Sequence, residues 1–549
     1  MDAALPLFIQ RMLQPDFYPH PVQVPVQLLQ THISYILLTG DFAYKVKKAT
    51  QFGFLDFSTL ERRAYFCQEE LRLNHRLSPD LYLAVLPIYQ SHGNYCLNPP
   101  SPADAEIIDY ALQMRQFDQE GLLSHLFQAG KLTPAHLQRL GRVVAQFHAS
   151  AATNSEIQAY GTYEAICSVD EENYAISKAF IPQLQTAAQF EQTRTFTQHF
   201  WQTHQDELRQ RLCQGKIREC HGDLHLNNVC LYQDRVQIFD CIEFCPEFRN
   251  IDVIYDVAFM VMDLDAQGRP DLANLFLNTY LETSGDYEGA VLLPAYLSMR
   301  ATIRGNVHSL TGQDLAMPVG KAAPMELGRS KSFGQQATTI APSQQADHWQ
   351  QAKEYFRLAY QYTQRSQGQI VLMSGLSGSG KSTVARHLAT QMNAIHIRSD
   401  ALRKHLAGIP LYQSGTQINI YTPTMTQQTY ERLADLGLLL AQAGWTVILD
   451  AKYDQQAERT AIIEKAASAH LPVQILYCTA PLAVLRSRLD HRSQDISDAT
   501  AALLTHQEQA FQAFTPTEQQ KLTHLNTNQD WQTQVASFLK PLAKKIMSG

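Results

Sequence analysis

A chain of 549 residues is longer than one hydrophobic core organises, so two to four domains are expected. The 45% hydrophobic and 18% charged residues are those of a globular protein, and a net charge of −7 argues against a nucleic-acid partner. No apolar run approaches the roughly 18 residues of a membrane span, and the start Met1-Asp2-Ala3-Ala4-Leu5 has no basic or apolar leader pattern. The nine cysteines include no C-x-x-C pair and no His or Cys cluster of metal-site spacing. Reduced thiols, no membrane and a cytoplasmic location are the expectation.

In chain order, residues 33–39 read as a strand, Gly40-Asp41 as a tight turn and 42–48 as the partner strand. Lys45 and Lys47 are two apart and so project from one face. A helix over 58–77 follows, with Ser58 as N-cap, Glu61 three residues on, and Pro79 beyond its end. Glu69 and Glu70 fall in its middle. Residues 107–114 read as a strand, placed where a hinge between two lobes would lie. Beyond it 133–151 and 190–212 carry apolar residues at helical spacing.

Then comes His221-Gly222-Asp223-Leu224-His225-Leu226-Asn227-Asn228, followed by the short strand Val236-Gln237-Ile238-Phe239-Asp240. An Asp, an Asn five residues later and an Asp ending the next strand is the set that phosphoryl transfer from ATP requires. Asp223 would accept the proton of an attacking hydroxyl, and Asn228 and Asp240 offer hard oxygen ligands to Mg²⁺. A loop suits them, because three groups must converge on one point.

This motif, with Tyr255-Asp256 beyond it, resembles the aminoglycoside phosphotransferase-like branch of the protein-kinase-like fold. Gly222, where protein kinases have arginine, points to that small-molecule branch. The resemblance implies a two-lobed kinase-like fold and Lys45 with Glu70 as the pair that orients ATP. Lys47 is the alternative lysine. It also implies that His221 braces the loop and Asp256 orders the segment near it. The chain departs from the kinase pattern in having no G-x-G-x-x-G loop, only Gly40.

Residues 311–348 are rich in Gly, Pro, Ser, Gln and Ala without helical or strand period, and read as a flexible linker. Residues 349–364 read as a helix that packs onto a second domain. That domain opens on Ile370-Val371-Leu372-Met373-Ser374-Gly375-Leu376-Ser377-Gly378-Ser379-Gly380-Lys381-Ser382-Thr383, which fits G-x-x-x-x-G-K-[ST] between an apolar run and a helical pattern. Backbone N–H groups of Gly375, Ser377, Gly378, Ser379 and Gly380 would cradle phosphate, with Lys381 on the β- and γ-phosphates and Ser382, beside Thr383, on Mg²⁺.

Strands are predicted at 370–374, 394–398, 445–450, 473–478 and 521–526, alternating with helices as in a parallel α/β sheet. Ligands bind at the carboxyl ends of such strands. There Arg398-Ser399-Asp400 and Asp450 end two of them, with Arg403 and Lys404 following, and Asp400 and Asp450 are the candidate catalytic carboxylates. Arg486, Arg488 and Arg492 lie on a late helix and its exit, where a lid could clamp phosphates. This half resembles the small P-loop kinases: gluconate and shikimate kinases and the zeta-toxin-like group of AAA family ATPases.

The fold expected is therefore α+β and α/β in two domains: a kinase-like domain at 1–310, a linker at 311–348 and a P-loop domain at 349–549. The function expected is an ATP- and Mg²⁺-dependent phosphotransferase with two heads acting on small-molecule hydroxyl acceptors. Two alternatives stay open at this point. The P-loop half could be an ATPase switch governing a binding-only first half, or it could be a toxin- or nucleic-acid-type kinase. Neither acceptor, nor the oligomeric state, is legible.

Overall fold

The structure, a computed structural model, describes residues 5–52, 55–98, 105–316, 342–364, 367–415, 418–492 and 495–547. Contacts divide the chain into two units, each built from three stretches. The first comprises Met1–His136, Ser150–Ala266 and Ala295–Thr363; the second comprises Leu137–Ala149, Gln267–Pro294 and Gln364–Gly549.

The first unit begins with an antiparallel sheet of six strands: β1 (Gln27–Gln30), β2 (Ser34–Leu38), β3 (Phe42–Lys47), β4 (Tyr82–Ser91), β5 (Asn94–Cys96) and β6 (Glu106–Arg115). Their order is β1-β2-β3-β6-β4-β5. Gly40, at φ +104°, makes the turn that pairs Leu38 with Ala43. Alternation along β3 puts Tyr44 and Val46 into an apolar cluster with Leu37, Ile88 and Ala111, and so turns Lys45 and Lys47 to the other face. Helix α1 (Leu60–His75) supplies Glu70 from its buried side, with Cys67, Leu73 and Asn74. Its N-cap is Thr59, whose side chain accepts from the Arg62 N–H, and not Ser58. The Ser58 hydroxyl instead donates to Asp56 Oδ1 at 2.6 Å, so the helix starts one residue later than predicted.

Next along the chain come α2 (Pro134–Ser150), whose Leu137–Ala149 belong to the second unit, then α3 (Ala187–Thr203) and α4 (Gln205–Cys213) in place of the single helix read over 190–212; His204 interrupts the two. Two short ladders frame the H-G-D motif. β7 (Ile217–Glu219) pairs with β10 (Asn250–Asp252), and β8 (Val229–Tyr232) pairs with β9 (Arg235–Ile238). Helices α5 (Val253–Ala266), α6 (Pro270–Ser284) and α7 (Leu293–Ala316) follow, and α8 spans Pro342–Tyr362.

Both ends of the expected 311–348 linker are thus helical, and the rest of it, 317–341, lies outside the described residues. Ala352 and Phe356 of α8 pack with Phe180 and Leu184 inside the first unit. This corrects the expectation that 349–364 packs onto the second domain. In the other direction α6 is part of the second unit, where Asn274 Nδ2 donates to the Ala394 carbonyl at 3.0 Å. The units therefore do not part at residue 310.

The second unit holds five parallel strands, β11 (Gln369–Ser374), β12 (Ile395–Arg398), β13 (Thr446–Asp450), β14 (Val473–Thr479) and β15 (Leu522–Asn526), in the order β12-β13-β11-β14-β15. All five predicted strands are present to within about a residue. Helix α9 (Lys381–Met392) packs Val384, Ala385 and Leu388 against Val371, Met373, Ile448 and Leu476 of the sheet. Helices α10 (Ser399–Leu406), α11 (Pro423–Gln442) and α12 (Leu482–Asp490) complete what the site needs. All nine cysteines are free thiols, and among the described residues no helix is long and apolar enough to cross a membrane.

Candidate active sites

In the first unit the loop between β7 and β8 is tied down at its start. Asp256, on the first turn of α5, accepts from the backbone N–H of His221 (3.1 Å) and of Gly222 (2.9 Å). His221 Nε2 donates to the Phe239 carbonyl at 2.9 Å, linking the loop to the end of β9. Gly222 has φ +86°, and a Cβ there would stand 2.5 Å from the Phe248 carbonyl oxygen, which accounts for glycine at this place.

The loop presents Asp223 with one oxygen engaged and one open. Its Oδ2 lies 3.2 Å from His225 Nε2 and accepts from Asn228 Nδ2 at 3.0 Å. His225 Nδ1 accepts from the Asn227 N–H, which leaves the ring proton on Nε2, facing Asp223. Oδ1 is buried and has no partner. Burial alone would raise this carboxyl, but His225, Arg304 and His221 outweigh it and hold it well below the usual range. His225 was missed by the sequence reading, although its place two residues after Asp223 was the available signal.

Asp240 follows β9 in the left-handed region, φ +65°, a conformation that a non-glycine residue keeps only where its surroundings impose it. Lys45 joins it to α1: the ammonium donates to Glu70 Oε1 at 2.6 Å and to Asp240 Oδ1 at 3.0 Å. Lys47 donates to Glu70 Oε2 at 2.6 Å and to Glu243, away from Asp240. Burial of Glu70 is outweighed by the two lysines, which bring its carboxyl down to about 2. Asp240 goes the other way, raised to about 6 by burial, against Lys45 and with Glu70 and Glu243. Its Oδ2, like Asp223 Oδ1, is a buried oxygen without a partner. The unpartnered Asp240 oxygen and the Asn228 amide are the kind of oxygen donors that fit Mg²⁺, and Lys45 is the lysine that pairs with Asp240.

Asp223 also lines a cavity of about 160 Å³ with Gly222, Tyr255 and Phe259 on its wall. Asp223 thus connects the loop that carries His225 and Asn228 to the wall of this cavity.

In the second unit the motif Gly375–Thr383 joins β11 to α9. Gly375, Gly378 and Gly380 all have positive φ, and a Cβ on Gly375 would stand 2.3 Å from the Cys478 carbonyl oxygen. Lys381 arches back over the loop, donating to the Gly375 and Leu376 carbonyls, both at 2.9 Å. Burial lowers the Lys381 ammonium pKa, against the raising effect of Asp450 and Asp400. The Ser379 hydroxyl is buried without a partner, and the Ser377 N–H is taken up by Gln507 Oε1 at 3.1 Å. Ser382 and Thr383 open α9, half-buried and exposed respectively.

Asp450 ends β13 beside Met373 of β11. Burial would raise its carboxyl, but His396, whose Nε2 is 3.1 Å away, together with Arg398 and Lys381 lowers it to about 2. Asp400, on the first turn of α10, is near enough to raise both Lys381 and Arg398.

The cations read as a phosphate clamp are mostly spent elsewhere. Arg488 donates to the Gly378 carbonyl (3.3 Å) and to Thr527 (2.9 Å), while Thr527 Oγ1 donates to the Ser379 carbonyl (2.8 Å). Arg488 therefore braces the loop through its carbonyl side. Arg486, two residues earlier and so on another face of α12, is exposed. Arg492 holds the carbonyls of Ser497 and Ala499, Arg398 pairs with Asp495 at 2.7 Å, and Lys404 donates to the Leu411 carbonyl at 2.8 Å. Arg403 donates to Thr426 Oγ1 at 3.1 Å.

Two family models match separate parts of the chain. Residues 62–293 match the phosphotransferase enzyme family, and residues 370–514 match the AAA domain. Each match contains one of the two motifs, the H-G-D loop in the first and the G-x-x-x-x-G-K-S loop in the second. An uncharacterized protein of Mycobacterium tuberculosis (strain ATCC 25618 / H37Rv) is 28% identical over 491 residues, covering 89% of this chain and 90% of that one. An adenylyl-sulfate kinase of Myxococcus xanthus (strain DK1622) is 32% identical over 129 residues, 23% of this chain and 64% of that one. Among solved structures, a choline/ethanolamine kinase family protein from Mesorhizobium loti aligns over 65% of this chain and 97% of that one, with 11% identity and a TM-score of 0.36.

Proposed function

We propose that this chain is an ATP-dependent phosphotransferase with two nucleotide sites, each passing a γ-phosphoryl group to a hydroxyl of a small molecule. The observation that carries the reading is the state of Asp223, a residue that lines a cavity: one oxygen is held by His225 and Asn228, and the other is buried without a partner.

In the first unit Lys45, fixed by Glu70, would meet the α- and β-phosphates, and the acceptor hydroxyl would lie against Asp223 Oδ1. Asn228 and Asp240 would hold Mg²⁺, which supplies neutralisation of phosphate charge. The depressed Asp223 carboxyl is a weak base, so it takes the proton late, once the new O–P bond has made the hydroxyl acidic. His225 and Asn228 keep its orientation throughout.

In the second unit the glycine loop, Lys381 and the start of α9 would hold the phosphates. Asp450, kept ionised by His396, is suited to hold a metal or its water. Asp400 stands close enough to Lys381 to serve the acceptor side.

The test is Asp223→Asn, which keeps shape and removes the base. ATP–Mg²⁺ binding at the first site should survive, and transfer by that site should fall by about 10²–10⁴-fold. Loss of binding together with transfer would assign Asp223 to the nucleotide and not to the acceptor.

A further inference from the structure

The cavity beside Asp223 carries two cations, of which the phosphotransferase reading uses only the field of Arg304 on Asp223. Helix α7 places Arg300 and Arg304, one turn apart, on its wall. Both are buried, at 6% and 7% exposure. Arg300 lies 3.7 Å over the Tyr255 ring and 4.8 Å from that of Phe259, and its Nε donates to the Tyr255 carbonyl at 3.3 Å. Arg304 Nη2 lies 3.4 Å from His308 Nε2, and its guanidinium is 5.6 Å from the Tyr355 ring. Stacking on aromatic faces helps fix both planes, and the Tyr355 hydroxyl shares a further hydrogen bond with Arg304.

Arg300 Nη2 and Arg304 Nη1 are buried with no acceptor. Charged donors left unmet in a protein interior are costly and rare, and one regular reason for them is a ligand that completes them. Asp223 and Asp263 lie near enough to raise Arg304, but no acid around the cavity is hydrogen-bonded to either guanidinium. Asp252 accepts from Arg211 Nη2 at 2.7 Å, and Glu172 and Glu247 are exposed. Asp223 is the remaining carboxylate on the wall, and its own engaged oxygen already has two partners.

We infer that the acceptor of the first unit carries an oxyanion (phosphate, sulfate or carboxylate) on the same small molecule as its reacting hydroxyl. The oxyanion sits on Arg300 and Arg304, which places the hydroxyl at Asp223 Oδ1. The inference rests on the phosphotransferase reading of this site. In the step, the hydroxyl oxygen forms a bond to Pγ of ATP, and the bond from Pγ to the β-bridging oxygen breaks with its electron pair leaving on ADP. The hydroxyl proton passes to Asp223. A guanidinium fork recognises any of the three oxyanions, so the pocket specifies the charge and the distance to the hydroxyl.

The test uses the full chain carrying Lys381→Ala, which weakens phosphate binding at the P-loop. Calorimetry without nucleotide measures glycerol 3-phosphate, glycerate and sulfate, with glycerol and choline as neutral and cationic controls. Anionic probes should bind better than both controls. Arg300→Gln and Arg304→Gln should each weaken them about 10- to 100-fold, the loss expected for hydrogen bonds from a charged donor. Arg304→Lys, which keeps the charge and loses the fork, should fall between and gives a folded variant if glutamine is not tolerated. The inference is overturned if no anionic probe binds, if binding ignores both arginines, or if choline or glycerol binds as well. Failure of the phosphotransferase reading is read separately, as absence of ATP–Mg²⁺ binding in the same Lys381→Ala chain.

Discussion

Lys45 and Lys47 share a strand, a face and a partner, yet their substitution should have opposite consequences. Lys47 is buried among Glu70, Glu243 and the Phe57 ring, 4.7 Å from its ammonium. Lys47→Met leaves Glu243 buried without its cation, and removing one member of a buried ion pair costs about 3–5 kcal/mol. At about 2–4 °C per kcal/mol for a domain of 150–250 residues, melting should fall by roughly 6–20 °C. Lys45→Met is milder. Glu70 keeps Lys47, and Asp240, already raised to about 6, takes a proton once Lys45 is gone. Lys45 lowers Asp240, so its loss lets burial carry that carboxyl further toward the neutral form, and a fall of only a few degrees is expected. What Lys45→Met should remove is ATP affinity at the first site. Thermal unfolding without nucleotide, beside ATP calorimetry in a Lys381→Ala background, separates the two. A Lys47→Met chain as stable as the parent, or one that stays folded and loses ATP while Lys45→Met retains it, would refute the reasoning.

Gly222→Ala should cost about 1–3 kcal/mol in backbone strain alone, and more from the 2.5 Å approach to the Phe248 carbonyl. Melting temperature should drop and transfer by the first site should be lost, whereas unchanged transfer would mean the loop is not held as described. Asp170 is buried, accepts from Trp201 Nε1 at 2.6 Å, and is raised by burial to about 7. The folded chain therefore binds this proton more tightly than the unfolded one, and stability falls as pH rises from about 4 through 7. Asp170→Asn keeps the acceptor and removes the charge, so it should raise melting by a few degrees at pH 8 and by less at pH 5; an equal change at both pH values would contradict the assignment.

The contiguous motifs were the legible part of the chain. The P-loop and the H-G-D loop declare themselves because their chemistry needs fixed residue types at fixed spacing, and the five strands of the second unit because buried parallel strands are continuous apolar runs. Partners of an apolar face were not legible. The stripe on α8 announces that a face is covered, and nothing local says it meets Phe180 and Leu184. Spacing also misled at α12, where Arg486 and Arg488 look alike in sequence but two residues turn them to different faces. Arg300, Arg304 and Glu243 lie in no motif, so only the tertiary structure brings them to the Asp223 cavity or to Lys47. The Ser58 cap failed because Asp56 competes for its hydroxyl.

The central claim is that both units use ATP, and nucleotide stoichiometry tests it most directly. Calorimetric titration of the full chain with a non-hydrolysable ATP analogue and Mg²⁺ should give two sites per chain. One should remain in Lys381→Ala and one in Lys45→Met. A single site that Lys381→Ala abolishes and Lys45→Met leaves intact would contradict the account and make the first unit a domain that does not bind nucleotide.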